Sequence, residues 1–249
     1  MPRPFLTAEW RNLLMFNYAV EPSLLEPLVP AGTELDSWRG QTYVSLVGFL
    51  FARTRVLGVP IPGHRTFEEV NLRFYVRREH AGETRRAVTF IRELVPRAAI
   101  ATVARLAYNE PYVALPMRHE FGEHGPSGVP ITVNYEWKLG ADWAGLRGNP
   151  CGDGVTAAAD SIEEFITEHY WGYTRQRDGG TVEYRVDHPR WRVWRLETPQ
   201  VTGDLTTLYG AALADVIRGV PTSAFLADGS PVSVFAPTRL RDVQPSASS

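Results

Sequence analysis

From Glu69 to Arg77 the side chains alternate without a break. Glu69, Asn71, Arg73 and Tyr75 fall on one side, and Val70, Leu72, Phe74 and Val76 on the other. Successive residues of an extended strand point to opposite faces, so this segment is committed to a sheet with one polar and one apolar surface. Comparable β-prone runs occupy Asn12 to Val20, Gln41 to Val56, Ala87 to Leu94, Val129 to Leu139, Phe165 to Arg177, Thr181 to Val186, Val193 to Val201 and Pro231 to Phe235. So many strands in one chain predict a barrel or a sandwich.

Punctuation between the runs is rich in glycine and proline. Gly58 to Gly63, Gly122 to Pro130 and Gly148 to Gly154 read as loops. Asp178-Gly179 between two alternating runs supplies the positive φ of a tight turn, which makes Phe165 to Val186 one long hairpin. Helical signals are few. Pro96 precedes apolar residues at Ile100, Val103, Leu106 and Ala107, the pattern of a helix opened by a first-turn proline. Shorter helices are expected at Pro22 to Leu28 and Asp204 to Tyr209, and Ser161 with Glu164 has capping-box spacing. Residues 1–243 are expected to form one domain, and 244–249 a disordered tail.

Composition removes several classes of function. The chain has 249 residues, 44% of them hydrophobic and 22% charged, with no apolar run near the ~20 residues of a membrane span. Met1 to Thr7 lacks the pattern of a secretory signal, and the single cysteine, Cys151, excludes an internal disulfide; both fit a reducing cytoplasm. A net charge of -2 offers no basic field for nucleic acid. His119 and His124 flank Glu120 and Glu123, but Gly122 breaks any helix that could array them as metal ligands, so no metal is expected. No phosphate-binding glycine loop, dinucleotide fingerprint or serine elbow occurs, so no cofactor is expected either. Among 26 basic residues only Lys138 is a lysine, leaving a single side-chain amine for Schiff-base chemistry.

Several stretches together resemble the YqjF-like family of uncharacterised bacterial proteins (domain of unknown function 2071). They are Phe67-Glu68-Glu69-Val70-Asn71-Leu72-Arg73 with Val76, Arg92-Glu93-Leu94, Tyr108-Asn109-Glu110-Pro111-Tyr112, Thr167 to Arg175, His188-Pro189 with Trp191, and Phe225 to Pro231. That family is related to acetoacetate decarboxylase. The resemblance therefore implies a β-rich α+β fold, a mostly antiparallel barrel-like sheet with few short helices. In the decarboxylase the stretch matching Arg92-Glu93-Leu94 runs into paired lysines. Here it continues Val95-Pro96-Arg97-Ala98-Ala99. An arginine stays protonated and cannot form a Schiff base, so the resemblance carries the fold without the decarboxylase chemistry.

Candidate ligand-binding residues follow from faces and from this resemblance. The polar face Glu69, Asn71 and Arg73 either lines a barrel interior, where it could orient an anion, or is an ordinary solvated face; the resemblance favours the interior. Arg92 and Glu93 adjoin the helix expected at Pro96, but neighbouring strand residues face opposite ways, so both can enter one cavity only across a bulge. His169, Trp171, Tyr173 and Arg175 share a face, with His188, Trp191 and Trp194 following; His169 and Tyr173 are candidates for a ligand wall, and a structural role for a histidine among aromatics fits equally. Lys138 shares a polar face with Thr132, Asn134 and Glu136 and reads as solvated.

The expected function is an interior pocket for a small organic acid or carbonyl compound, with lyase-like chemistry that needs no Schiff-base lysine. A ligand sensor or an interaction module, using some of the seven tryptophans, is the alternative. The expected partner is a small molecule, not nucleic acid or membrane, and a homo-oligomer is compatible with the sequence.

Overall fold

The structure, a computed structural model, describes residues 3–60, 65–96, 111–126 and 128–240. Its strands in chain order are β1 (Leu6–Val20), β2 (Glu34–Leu35), β3 (Thr42–Val56), β4 (Val59–Pro60), β5 (Phe67–His80), β6 (Glu83–Val95), β7 (Tyr112–Ala114) and β8 (Met117–Phe121). They continue with β9 (Val133–Leu139), β10 (Asp142–Thr156), β11 (Trp171–Arg175), β12 (Thr181–Asp187), β13 (Arg192–Thr202), β14 (Ser223–Val234) and β15 (Thr238–Arg239). The helices are α1 (Pro22–Leu25), followed by a 3-10 turn at Glu26–Leu28, α2 (Ile162–Thr167) and α3 (Thr206–Arg218). None of the described helices is long and apolar enough to cross a membrane.

All described strands join one mostly antiparallel sheet, along the path β15-β12-β11-β6-β5-β3-β1-β14-β13-β10-β9-β8, with β2, β4 and β7 paired to β5, β3 and β6 off it. Among the described strands only β6 makes parallel pairs, with β11 and β7. The sheet curls until β12 meets β14, pairing Val186 with Val234 and Asp187 with Ser233. That contact is two residues long, so the result is barrel-like rather than a continuously closed barrel. Beyond it, β13, β10, β9 and β8 continue the sheet and lie over the outer face of β1, β3 and β5, where Tyr135, Trp137 and Leu146 are fully buried.

Alternation then sorts the core into two parts. On β5, Val70, Leu72, Phe74 and Val76 join a cluster with Trp137, Leu146 and the buried side of α3. Phe67 and Tyr75 face the inside of the curl with Met15, Val47, Phe49, Phe51 and Phe225. Both faces of β5 are therefore covered, and the polar residues between Phe67 and Tyr75 are enclosed with them.

The turn at Asp178-Gly179 forms as expected: Gly179 has φ 81°, and the Gly180 amide donates to Asp178 Oδ1 at 3.0 Å. The hairpin is shorter than its β-prone sequence. Ser161 caps the Glu164 amide at 3.1 Å, and the acidic first turn of Glu163 and Glu164 favours a helix start, so Phe165 to Thr167 belong to α2 and the strand opens only at Trp171. The glycine-rich stretch expected to be a loop at Gly148 to Gly154 lies within β10. Its glycines serve close packing: a Cβ at Gly154 would overlap the ring of Trp194. Helix α3 runs past the expected Tyr209, bending at Gly210 (φ 77°), with Asp204 accepting from the Thr206 amide at its start. The helix expected after Pro96 and the tail 244–249 lie outside the described residues.

Candidate functional site

A cavity of about 210 Å³ lies inside the curl. Strands β1, β3, β12 and β14 give it an apolar wall, Thr54 apart: Trp10 and Leu13, then Phe49 and Phe51, then Tyr184 and Val186, then Val234. The rings pack on one another, Trp10 against Phe49 at 5.5 Å between centroids and Phe51 stacked on Phe67 at 4.8 Å. Polar groups concentrate on β5 and β6 and on the segment after α2: Glu69, Asn71, Arg73, Glu93 and His169, with Tyr112 beside them.

The register explains how they meet. Asn71 stands opposite Glu93 in the β5–β6 ladder, and Arg73 opposite Phe90. Two residues of β5 are thus matched by three of β6, a β-bulge at Ile91 and Arg92. The bulge turns Phe90 and Glu93 to the same side although they are an odd number of residues apart, and it turns Arg92 away.

Glu69 is buried and receives two hydrogen bonds, from Asn71 Nδ2 to Oε1 at 3.0 Å and from the Tyr112 hydroxyl to Oε2 at 3.2 Å. Burial pushes its carboxyl up to about 7, with those two donors and the charge of Arg73 pulling the other way. Arg73 is itself buried. Its Nη2 makes one long contact, 3.4 Å to the Ile166 carbonyl, while Nε and Asn71 Oδ1 have no hydrogen-bond partner. A buried guanidinium so thinly supplied with acceptors is costly, because each unmet polar group forfeits about 1–3 kcal/mol.

His169 presents the other polar edge. Its ring lies 4.7 Å from that of Tyr75 and 5.6 Å from that of Phe165, and neither ring nitrogen has a hydrogen-bond partner. Nε2 is 3.9 Å from Asp36 Oδ2, too long for a hydrogen bond. Burial drives His169 down to about 4, so the imidazole is neutral near pH 7. Burial would raise Asp36, but Arg86, whose Nε donates to Oδ2 at 2.8 Å, and the nearby His169 outweigh it and bring Asp36 to about 2. At the far side His188 stacks on Trp191 at 4.3 Å and on Tyr170 at 4.9 Å.

With this geometry in place, comparison with known proteins is informative. The family model of DUF2071, an uncharacterized conserved protein, matches residues 7–231. The chain belongs to the DUF2071 family. It is 29% identical over 207 residues to the uncharacterized protein YqjF of Bacillus subtilis (strain 168), covering 83% of this chain and 82% of that one. Its fold is similar to that of acetoacetate decarboxylase from Legionella pneumophila, with TM-score 0.67 and 12% identity over 96% of this chain and 88% of that one. An acetoacetate decarboxylase-like enzyme from Sphingomonas wittichii RW1 gives 0.63 and 13%, over 95% and 93%. The enduracididine biosynthesis enzyme MppR, complexed with pyruvate, gives 0.64 and 12%, over 98% and 93%. At these identities the likeness establishes the acetoacetate-decarboxylase-like fold alone.

In this DUF2071 chain the cavity brings together Glu69, Asn71, Arg73, Glu93 and His169, but two expected wall residues stand elsewhere. Arg92, turned outward by the bulge, donates from Nε to the Leu208 carbonyl of α3 at 3.3 Å. Tyr173 packs in the other core, its hydroxyl donating to Glu183 at 3.2 Å. Lys138 is on β9, on the same half-exposed face as Asn134 and Glu136, and is not among the cavity residues. His119 pairs with Glu68 at 2.6 Å. Sequence reasoning missed Asp36, which no local pattern marks, and placed Tyr112 only in a stretch that carries the family resemblance, not on the cavity wall. It also missed Phe49 and Phe51, although their odd parity with Val47 on β3 carried the signal.

Proposed function

We propose that the cavity binds a small organic acid or carbonyl compound and that Arg73 receives its carboxylate. The observation that carries this reading is the buried Arg73 guanidinium on the cavity wall, with Nε lacking any acceptor. A carboxylate offers the paired oxygens that such a group is shaped to bind, and the site is otherwise apolar enough to make that bond strong. The likeness in fold to an enzyme complexed with pyruvate supports the ligand class by analogy only.

Any turnover would be acid/base or lyase-like. Glu69, raised toward neutral pH, and the neutral His169 are the proton carriers on offer, whereas no amine is found among the described residues that line the cavity. Acetoacetate decarboxylation through a covalent amine is therefore not proposed. A non-catalytic sensor using the same cavity is the second reading; the pairing of aromatic wall and anion site serves recognition without turnover equally well. A cytoplasmic setting fits the single cysteine.

Isothermal titration of the purified protein with keto acids, hydroxy acids and aldehydes, repeated with Arg73→Gln, tests the reading. Saturation to about 100 times Kd should also stabilise the fold by about 2.7 kcal/mol. An acid whose binding is lost in Arg73→Gln supports the proposal, and binding that is indifferent to the substitution removes it. Product analysis with the same acid then separates enzyme from sensor.

A further inference from the structure

The wall opposite the polar stripe narrows the ligand class. From the shape and lining of the cavity we infer that its ligand is an aryl-substituted carboxylic acid, an aromatic ring carried on a short acid chain, rather than a short keto acid. This rests on the anion-binding reading and deepens it.

The first argument is size. A cavity of about 150 Å³ lined by apolar side chains admits benzene. The cavity here is about 210 Å³, which leaves room beyond a ring for about two small groups, such as a methylene and a carboxylate, taking ~30 Å³ for each. A three-carbon acid held at Arg73 would leave most of that volume as water against hydrocarbon.

The second argument is the division of the surface. Charged and amide side chains are confined to β5 and β6, with imidazoles at His169 and at His188, the latter stacked on Trp191, while β1 and β3 contribute Trp10, Phe49 and Phe51. These rings already meet one another edge-on, at 5.5 Å and 6.0 Å between centroids for Trp10 with Phe49 and Phe51. An added ring entering such a group finds both edges and faces to meet, an arrangement favoured by the aromatic quadrupole. A ligand complementary to both walls has one anionic end and one aromatic end.

The experiment is a titration followed by tryptophan fluorescence, for which Trp10, Trp171 and Trp191 in the lining are built-in reporters, and by calorimetry. The probes are phenylacetate and phenylpyruvate, their short counterparts acetate and pyruvate, hexanoate as an alkyl acid, and 2-phenylethanol as an uncharged aryl compound. Each aryl acid is expected to bind at least tenfold more tightly than its short counterpart, and phenylacetate at least tenfold more tightly than 2-phenylethanol. Val88→Phe, which adds a ring to the lining, should weaken phenylacetate by tenfold or more and leave pyruvate little changed. Equal affinity for aryl and short acids, or for hexanoate and phenylacetate, would overturn the aryl assignment and leave the anion site standing. Binding of 2-phenylethanol as tight as phenylacetate would overturn the anion site itself, and with it the acid class. Failure of every acid to bind would reject both.

Discussion

Asn71 and Glu93 face each other across the β5–β6 ladder on the cavity side, and a one-residue bulge is what makes them do so. Without the extra residue, the register of the hairpin end, where Arg73 pairs with Phe90, would continue to match Asn71 to Arg92 and put Arg92 on the cavity side in place of Glu93. The bulge thus decides which member of the Arg92-Glu93 pair is available to a ligand.

The two arginines consequently behave differently. Arg92→Ala should cost about 1 kcal/mol of stability through the lost bond to the Leu208 carbonyl, with ligand affinity unchanged. Arg73→Met removes a buried, under-paired charge and should leave stability level or raised, while abolishing acid binding. Denaturant unfolding alongside calorimetry checks both; a loss of binding in Arg92→Ala comparable to that in Arg73→Met contradicts the assignment.

Cavity protonation should be visible in stability against pH. His169 titrates near 4 in the folded state against 6.5 when free, so the unfolded chain binds more protons between these values and stability is lost as pH falls through them. Glu69 acts in the opposite sense. Its carboxyl, raised to about 7 from 4.5, keeps its proton in the folded state, so stability falls as pH rises from about 4.5 to 7. Between about 4.5 and 6.5 the two slopes oppose and nearly cancel, so Glu69→Gln should expose a loss of stability on acidification and His169→Gln a loss as pH rises. Unfolding curves from pH 4 to 8 in which either variant parallels the parent would show that its group does not titrate as described.

Much of this was legible in the chain because period-two alternation is a direct print of a sheet's two faces. The split between Glu69, Asn71 and Arg73 on one side and Val70, Leu72 and Phe74 on the other is the split between cavity and outer core. The bulge was not legible, since it depends on how β5 and β6 are paired rather than on either sequence alone, and so Arg92 could not be separated from Glu93. Glycine misled at β10 because a residue chosen to let Trp194 approach looks the same as one chosen for a turn. Tyr173 was misplaced because alternation from His169 assumes a strand, and regular strand pairing begins only at Trp171.

Gly172 offers a test of the cavity's shape. The Tyr184 ring lies directly over it, and a Cβ there would overlap ring carbons. Gly172→Ala should therefore displace Tyr184, costing about 1–3 kcal/mol as an overpacked site and altering the cavity wall. If thermal stability and tryptophan fluorescence both match the parent, Tyr184 does not hold the position described.

The absence of an amine among the described lining residues makes a sharp chemical prediction. Schiff-base formation needs a lysine that loses its proton in a dry site, yet the chain's one lysine, Lys138, sits on β9 beside Glu136 and away from the cavity. Incubation with a keto acid that binds, followed by borohydride, should leave the mass of the intact protein unchanged, and Lys138→Arg should bind the same acid with the same affinity. A stable adduct mapped to Lys138 would mean that the amine reaches the ligand, and the chemistry assigned to Glu69 and His169 would have to be given up for a covalent one.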